Sequence, residues 1–148
     1  MDRLNAEFKF SLRHNASLAL MMIDLDHFKD VNDSHGHIVG DSVLRQLGDL
    51  LRDEVRSVDL AARFGGEEFV ILLPDTDLEG AVVFAERLRK RVEEHDFAEG
   101  GDPLRITVSV GVAAASVKGG VTEPESLTAK ADEALYRAKN DGRNRVRP

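Results

Sequence analysis

The strongest constraint on the fold is a run of six apolar residues, Leu18 to Ile23, which leads directly into the acidic segment Asp24-Leu25-Asp26. The run is far too short to cross a bilayer. Its length and uniform apolarity are typical of a β-strand buried on both faces, because a half-exposed strand would alternate apolar and polar residues. The chain must therefore cover both faces of a sheet, and a carboxylate ends its most hydrophobic strand.

Several segments have the pattern of helices that could provide this cover. An apolar residue at every fourth position predicts a helix over 1–12, and helical spacing predicts another from Gly40 onward. Capping boxes at Thr76 to Glu79 and at Thr122 to Glu125 predict two further helix starts. A short helix is also expected to begin near His27, with Asp26 as its cap.

The remaining apolar runs predict strands. Residues 60–64 and 69–73 flank a glycine-bearing turn, which indicates a β-hairpin, and 106–110 alternates like a half-buried strand. A loop is expected at 118–120 and a last edge strand at 145–147. This order of elements predicts a mixed α/β fold in which helices cover a sheet that the hairpin makes partly antiparallel.

Composition limits the domain count and the chemistry. The chain has 148 residues, 42% of them hydrophobic, so a single domain with one core is expected. It has no cysteine, which excludes disulfides, thiolate metal sites and cysteine nucleophiles. A net charge of −7 argues against binding nucleic acid polymers through a basic face, but suits carboxylates that hold divalent cations. No signal peptide or membrane segment is visible, and a cytoplasmic location is expected.

Two adjacent glutamates lie in the turn of the predicted hairpin. Gly65 and Gly66 precede Glu67 and Glu68. The glycines would let a bulky ligand approach the backbone, although a solvated hairpin tip also favours glycine. Asp24 ends its strand at a sheet edge, where open α/β sheets bind ligands. If that strand pairs beside the hairpin, Asp24 and Glu67 converge, and such carboxylates suit Mg²⁺ bound together with substrate phosphates.

Three cations could bind those phosphates. Lys29 follows the first strand, whereas Lys139 and Arg143 flank the end of the last helix, a position that the helix dipole alone also favours. Other phosphate and nucleophile motifs are absent. Residues 36–40 lack the Lys-Ser/Thr ending of a P-loop, and neither Gly-x-Gly-x-x-Gly after a strand nor Gly-x-Ser-x-Gly occurs.

An ordered set of motifs resembles the GGDEF family, the diguanylate cyclases. Gly65 to Phe69 is similar to the family signature in its GGEEF form, and residues 24–33 are similar to its first-strand motif. Further matching segments follow in the order of the family: Gly36-His37 with Gly40-Asp41, Arg63-Phe64, Ser109 to Val112, Ala131 to Lys139, and Gly142 to Asn144. The set covers nearly the whole chain and is therefore far more specific than any one motif.

The resemblance implies a fold of the nucleotide-cyclase and polymerase-palm type, α/β with a central, mostly antiparallel sheet surrounded by helices. It implies that two GTP molecules are joined into cyclic di-GMP with release of two pyrophosphates, assisted by two Mg²⁺ (or Mn²⁺) ions per site. The implied metal-binding and catalytic groups are Asp24, the Leu25 carbonyl, Glu67 and Glu68, the last as a second-ion ligand or as a group that positions the 3′-hydroxyl. The implied phosphate-binding residues are His27, Phe28, Lys29, Lys139 and Arg143. The implied guanine-binding residues are Asn32 and Asp41, which turn and helix capping would also explain.

The family mechanism requires a homodimer, because each 3′-hydroxyl attacks the other GTP across a two-fold axis. Residues 56–59 also resemble the inhibitory RxxD site of the family, so Arg56 and Asp59, with Arg87 as a helper, are expected to bind the product cyclic di-GMP. A helix-terminal arginine beside a loop aspartate is the alternative reading.

We expect residues 1–148 to form one GGDEF domain of a longer signalling protein. The leucine-rich turn ending in Asn-Arg that usually precedes the first helix is not in the chain, which begins at or after its end with Asp2-Arg3-Leu4. A sensor or receiver domain is expected upstream. Two alternative functions remain: a catalytically silent module that binds GTP or cyclic di-GMP, and a metal-dependent nucleotidyl enzyme with another product.

Overall fold

A five-stranded sheet forms the centre of the domain in a computed structural model that describes residues 2–115 and 123–148. Its strands, in chain order, are β1 (Leu18–Leu25), β2 (Leu60–Gly65), β3 (Glu68–Pro74), β4 (Val108–Ala115) and β5 (Val146–Arg147). Their order across the sheet is β2-β3-β1-β4-β5. Among the strands of the described residues, only the β4–β5 pair is parallel. The mostly antiparallel sheet, the hairpin and the last edge strand are thus confirmed.

The helices cover this sheet on both faces. They are α1 (Asp2–His14), α2 (Phe28–His35), α3 (His37–Glu54), α4 (Leu78–Glu94) and α5 (Pro124–Asn140). Strand β1 is buried along all of its length because alternate residues enter different cores. Met21 and Ile23 pack with α2, α3 and α4, whereas Leu20 and Met22 pack with α1 and α5. No described helix is long and apolar enough to span a bilayer.

The starts of two helices differ from the sequence predictions. Helix α3 begins at His37, one turn before Gly40, and its first turn lacks the apolar stripe because Ile38 is 88% exposed. The N-cap of α4 is Asp77, whose side chain accepts a 2.8 Å hydrogen bond from Gly80 N. Thr76 was therefore the wrong cap, and its hydroxyl donates instead to Pro74 O.

The C-terminal third contains one further correction. Strand β4 is not half-buried, since Ser109 is fully buried beside its apolar neighbours. Helix α5 has Glu123 at its N-cap, without a side-chain capping bond, and proline in its first turn. The predicted cap Thr122 and the predicted loop at 118–120 lie outside the described residues.

A glycine brings α5 unusually close to the sheet. A Cβ atom on Gly111 of β4 would overlap backbone atoms of Ala131 and Leu135 in α5. Any larger residue would push the helix away from the sheet. This contact fixes the height of α5 above β4, and hence the position of residues one turn further along the helix.

Candidate active site

Three carboxylates share one edge of the sheet. Asp24, near the end of β1, pairs in register with Glu68 at the start of β3. The hairpin turn bends back over the end of β1, because Leu25 N donates a 3.3 Å hydrogen bond to Glu67 O. The predicted convergence of Asp24 with the turn at residues 65–68, which we call the signature turn, is therefore present, and this turn contains Gly66 at a φ of 51°. We call Asp24, Glu67, Glu68 and Lys139 the acidic edge.

Lys139 joins this edge from across the chain. Its Nζ lies 2.8 Å from Asp24 Oδ2. The lysine is one helical turn beyond Leu135, the residue that rests against Gly111, so the close seating of α5 explains its reach. Lys139 is therefore more than a helix-terminal cation of the kind that a dipole alone would favour.

The acidic edge carries an excess of negative charge. Burial raises the pKa of Asp24 above its ordinary value, and repulsion from Glu67 and Glu68 raises it further, while the hydrogen bond and charge of Lys139 oppose both effects. One lysine thus faces three carboxylates. Such a site favours an additional cation.

The donor set fits a metal ion of the magnesium type that arrives with phosphate. Within 2–115 and 123–148, no three Asp, Glu or His side chains already form a group that could hold a metal ion. Mg²⁺ is usually held by one or two carboxylates together with substrate phosphates rather than by an all-protein cage. Asp24, Glu67, Glu68 and the carbonyl of the buried Leu25 are oxygen donors of that kind.

The start of α2 offers backbone donors beside the same edge. His27 is its N-cap, with a left-handed φ of 56° and no side-chain capping bond. Its carbonyl accepts from the amides of Asp30 and Val31, whereas the amides of Phe28 and Lys29 have no hydrogen-bond partner among the described residues. A helix N-terminus with free amides is suited to anions such as phosphate. The Lys29 side chain is exposed there.

Asp26 does not cap this helix, contrary to the sequence prediction. It is buried, and its carboxylate accepts hydrogen bonds from Thr107 Oγ1 at 2.7 Å, Ser109 Oγ at 2.6 Å and Asn144 N at 3.0 Å. These donors lie far from Asp26 in sequence, which is why local capping rules missed them. Asp26 connects β1 to β4 and to the turn that contains Arg143.

Asn32 and Asp41 are brought close together by a second glycine. The Asn32 amide lies so near Gly40 that a Cβ atom there would overlap its oxygen, and Asp41 is the next residue. Because α3 begins at His37, Asp41 lies in its second turn and cannot cap it. Capping therefore does not account for Asp41, which leaves its carboxylate for another role.

Asp41 lines a cleft of about 500 Å³ between α3 and the hairpin. The other residues of this cleft, which the sequence did not indicate as site residues, include Leu44, Gly48, Arg63 and Phe69. The positions of Leu44 and Phe69 in apolar patterns marked them only as core residues. Gly48, which faces Phe69 across the cleft, had no distinguishing local signal.

The Arg56 cluster, comprising Arg56, Asp59 and Arg87, lies around a separate cavity of about 200 Å³. Asp59 accepts hydrogen bonds from Arg56 N at 2.8 Å, from Nε at 3.1 Å and from Nη2 at 2.8 Å. This contact raises the pKa of the Arg56 guanidinium. The guanidinium carbon of Arg87 lies 5.0 Å from the centroid of the Phe84 ring, and Arg87 Nε lies 3.1 Å from Glu54 Oε2. The structure thus brings together all three predicted residues of this group.

Comparison with known proteins identifies the family. The family model for the diguanylate cyclase GGDEF domain matches residues 1–145. The chain belongs to the GGDEF family. This GGDEF domain is 42% identical over 130 residues to diguanylate cyclase A of Treponema denticola, a match that covers 88% of the chain and 34% of the relative. It is 45% identical over 131 residues to the response regulator PleD of Caulobacter vibrioides, a match that covers 87% of the chain and 28% of PleD. The chain spans about a third or less of these relatives.

Solved structures agree on the fold of the GGDEF domain. The active GGEEF domain of a diguanylate cyclase from Vibrio cholerae superposes with a TM-score of 0.91 at 36% identity, covering 99% of this chain and 91% of that one. The GGDEF domain of DgcB from Caulobacter crescentus, solved in complex with c-di-GMP, superposes with a TM-score of 0.92 at 31% identity. This match covers 99% of this chain and 85% of the DgcB chain. The family and the fold predicted from the sequence are thereby confirmed.

Proposed function

We propose that this domain condenses two GTP molecules into cyclic di-GMP. In each of two equivalent steps, the 3′-oxygen of one GTP bonds to the α-phosphorus of the other. The bond from that phosphorus to the β-phosphate oxygen breaks, pyrophosphate leaves, and the 3′-hydroxyl proton is released. The observation that carries the proposal is the acidic edge, where Asp24, the signature turn and Lys139 meet beside free amides of α2.

The acidic edge supplies the oxygen ligands for the divalent ions that this chemistry needs. Asp24, the Leu25 carbonyl and Glu67 would hold the ions, and Glu68 would add a ligand or position the 3′-hydroxyl. When bound, Mg²⁺ or Mn²⁺ neutralises charge on the α-phosphate and on the leaving pyrophosphate. Repulsion among the carboxylates, which raises the pKa of Asp24, is relieved by such binding.

The triphosphate would bind along the start of α2. The free amides of Phe28 and Lys29 donate to it, together with the turn at His27. Lys29 and Arg143 are exposed and form no ion pair among the described residues, so their charges are available. Lys139 would exchange Asp24 for a phosphate oxygen when the metal ion occupies the carboxylate.

The guanine would bind near Asn32 and Asp41. A carboxylate accepts from the N–H groups of guanine, and adenine presents a different donor pattern. Because a polar group left unpaired in a binding site is costly, this arrangement selects GTP over ATP strongly. The cleft beside Asp41 is large enough to hold a base, and Asn32 would contact the base from outside the residues that line it.

The reaction requires two domains. The described part of the chain forms one such acidic edge, and each GTP must receive the nucleophile of the other, so a two-fold homodimer is the arrangement we infer. We also infer that cyclic di-GMP inhibits the enzyme by binding at the Arg56 cluster, since arginine can stack on guanine and donate to its acceptor edge.

A time course at several protein concentrations tests the proposal. The domain is first stripped of bound nucleotide, then incubated with GTP and Mg²⁺, and cyclic di-GMP is measured by chromatography. We expect product to rise faster than linearly with protein, and ATP to give none. Binding of GTP without any product would favour a silent sensor module, and conversion of ATP would favour a different nucleotidyl enzyme.

A further inference from the structure

The turn after α5 has an unusual backbone. Gly142, Arg143 and Asn144 have φ values of 120°, 62° and 44°, so three consecutive residues lie in the left-handed region. Glycine adopts this region freely, but the two other residues pay a conformational cost there. Such a backbone persists only where surrounding contacts hold it.

Asn144 is held by three groups, one from the connection between β1 and α2 and two from α4. Its backbone N donates to Asp26 Oδ2 at 3.0 Å. Its side-chain Oδ1 accepts from Arg89 Nη1 at 2.7 Å, and its Nδ2 donates to Glu93 Oε1 at 2.8 Å. We call these four residues the Asn144 clamp.

The clamp is anchored on both sides. Asp26 is fixed by the hydroxyls of Thr107, just before β4, and of Ser109 within it. Arg89 has a side chain only 12% exposed, and Glu93 lies 2.9 Å from it. The hydrogen bond from Asn144, followed by that from Arg89, lowers the pKa of Glu93, so its carboxylate is favoured in the charged form that the clamp uses.

Arg143 lies between this clamp and α5. Its backbone N donates to Ala138 O at 3.0 Å, and its carbonyl accepts from Arg145 Nε at 2.9 Å. Its side chain, in contrast, is exposed and has no hydrogen bond or ion pair in the described part of the chain. The backbone of Arg143 is thus fixed on both sides while its guanidinium stays available.

We propose that the Asn144 clamp positions Arg143 toward the triphosphate. This inference rests on the proposed function, since it takes Arg143 as a phosphate ligand. Asn144, Asp26 and Arg89 touch no substrate in this arrangement and act through the turn. The clamp fixes the backbone of Arg143, so that only the side-chain rotamers remain to be ordered when the guanidinium binds phosphate.

The test compares Asn144→Gly with wild type and with Arg143→Ala. Glycine tolerates the left-handed backbone but removes both side-chain contacts. We expect Asn144→Gly to weaken GTP binding about tenfold, as loss of one charged hydrogen bond would, and Arg143→Ala to do the same. The double variant should be no weaker than Arg143→Ala alone. Binding of guanosine, which has no phosphate, should be unchanged in all three, as measured by calorimetry.

Arg89→Met, with Arg91→Met as its control, provides an independent variant. Both arginines lie on α4 and pair with glutamates, but Arg91 pairs with Glu54 and not with Asn144. We expect only Arg89→Met to weaken GTP binding. Equal losses for guanosine and GTP, or a loss from Asn144→Gly that persists in the Arg143→Ala background, would overturn the inference by showing a general structural role. A wild-type domain that binds no GTP would overturn the proposed function itself and the inference with it.

Discussion

Two buried carboxylates in this domain, Asp24 and Asp59, are each paired with a more exposed cation, and the pairs differ in how completely the carboxylate is satisfied. Asp59 receives the guanidinium and the backbone N–H of Arg56. Asp24 receives a single ammonium, from Lys139, and faces two further carboxylates. The first pair is complete without a ligand, whereas the second retains excess negative charge. We infer that the saturated carboxylate of Asp59 orients Arg56, whereas the unsaturated carboxylate of Asp24 would favour an additional cation.

The largest effect that separates the two regions is expected from Glu67→Gln. The variant removes a charge from the acidic edge, and we expect cyclic di-GMP synthesis to fall on the order of a thousandfold, because metal-assisted charge stabilisation contributes several kcal/mol. Binding of cyclic di-GMP at the Arg56 cluster should be retained, as measured by calorimetry. Substantial remaining turnover would remove Glu67 from the metal site.

A change in stability should follow from Asp59→Ala. The carboxylate is buried and holds both the side chain and the backbone of Arg56, so we expect the free energy of unfolding to fall by about 2 kcal/mol in urea denaturation. Asp59→Asn keeps one acceptor and should lose less. Two variants as stable as wild type would show that this pair has no structural role.

Arg56→Ala should separate inhibition from turnover. We expect the inhibition constant of cyclic di-GMP to rise at least tenfold, because one arginine fork to a base typically contributes that much. Initial rates with GTP should stay within about twofold of wild type, since the Arg56 cluster is separate from the acidic edge. Arg3→Ala is the control, because Arg3 lies on α1, pairs with Glu7 and lines neither the Asp41 cleft nor the Arg56 cavity. If inhibition persisted unchanged, the product would have to act elsewhere.

The smallest effect is a pH-dependent one from Asp24→Asn. Because the pKa of Asp24 is raised in the folded state, ionising this carboxyl destabilises the folded domain. Wild type therefore loses stability as the pH rises from 3.8, the ordinary pKa, through the raised value. The variant lacks this loss and should gain stability relative to wild type across that window, with no gain at lower pH. Chemical denaturation at several pH values measures it. A variant that becomes less stable than wild type as pH rises would show that the Lys139 contact outweighs burial.

The sequence predicts this fold well where the pattern is local. The apolar run of β1 and the two runs around Gly65 are read directly as strands, and an ordered motif set indicates the family. The first residue of a helix is harder to predict from local sequence. Thr76 and Asp77 are both good capping residues, and only the geometry around Gly80 selects Asp77.

The site was predicted less completely, because its supports are distant in sequence. Asp26 looks like a helix cap until Thr107 and Ser109 are placed beside it by the register of β1 with β4. Lys139 gains its contact with Asp24 only because Gly111 lets α5 approach. Neither relation leaves a periodic or local pattern.

The single ion pair between Lys139 and Asp24 has a thermodynamic consequence. In the free domain Lys139 neutralises part of the charge of Asp24. A divalent ion bound at Asp24, as proposed above, would take over that role and leave more of the lysine charge for a phosphate oxygen of the nucleotide. The two ligands would then be positively linked, each raising the affinity for the other by the same factor. Titrations of GTP at increasing Mg²⁺ should give a steeper gain in affinity in wild type than in Lys139→Met, where that link is cut.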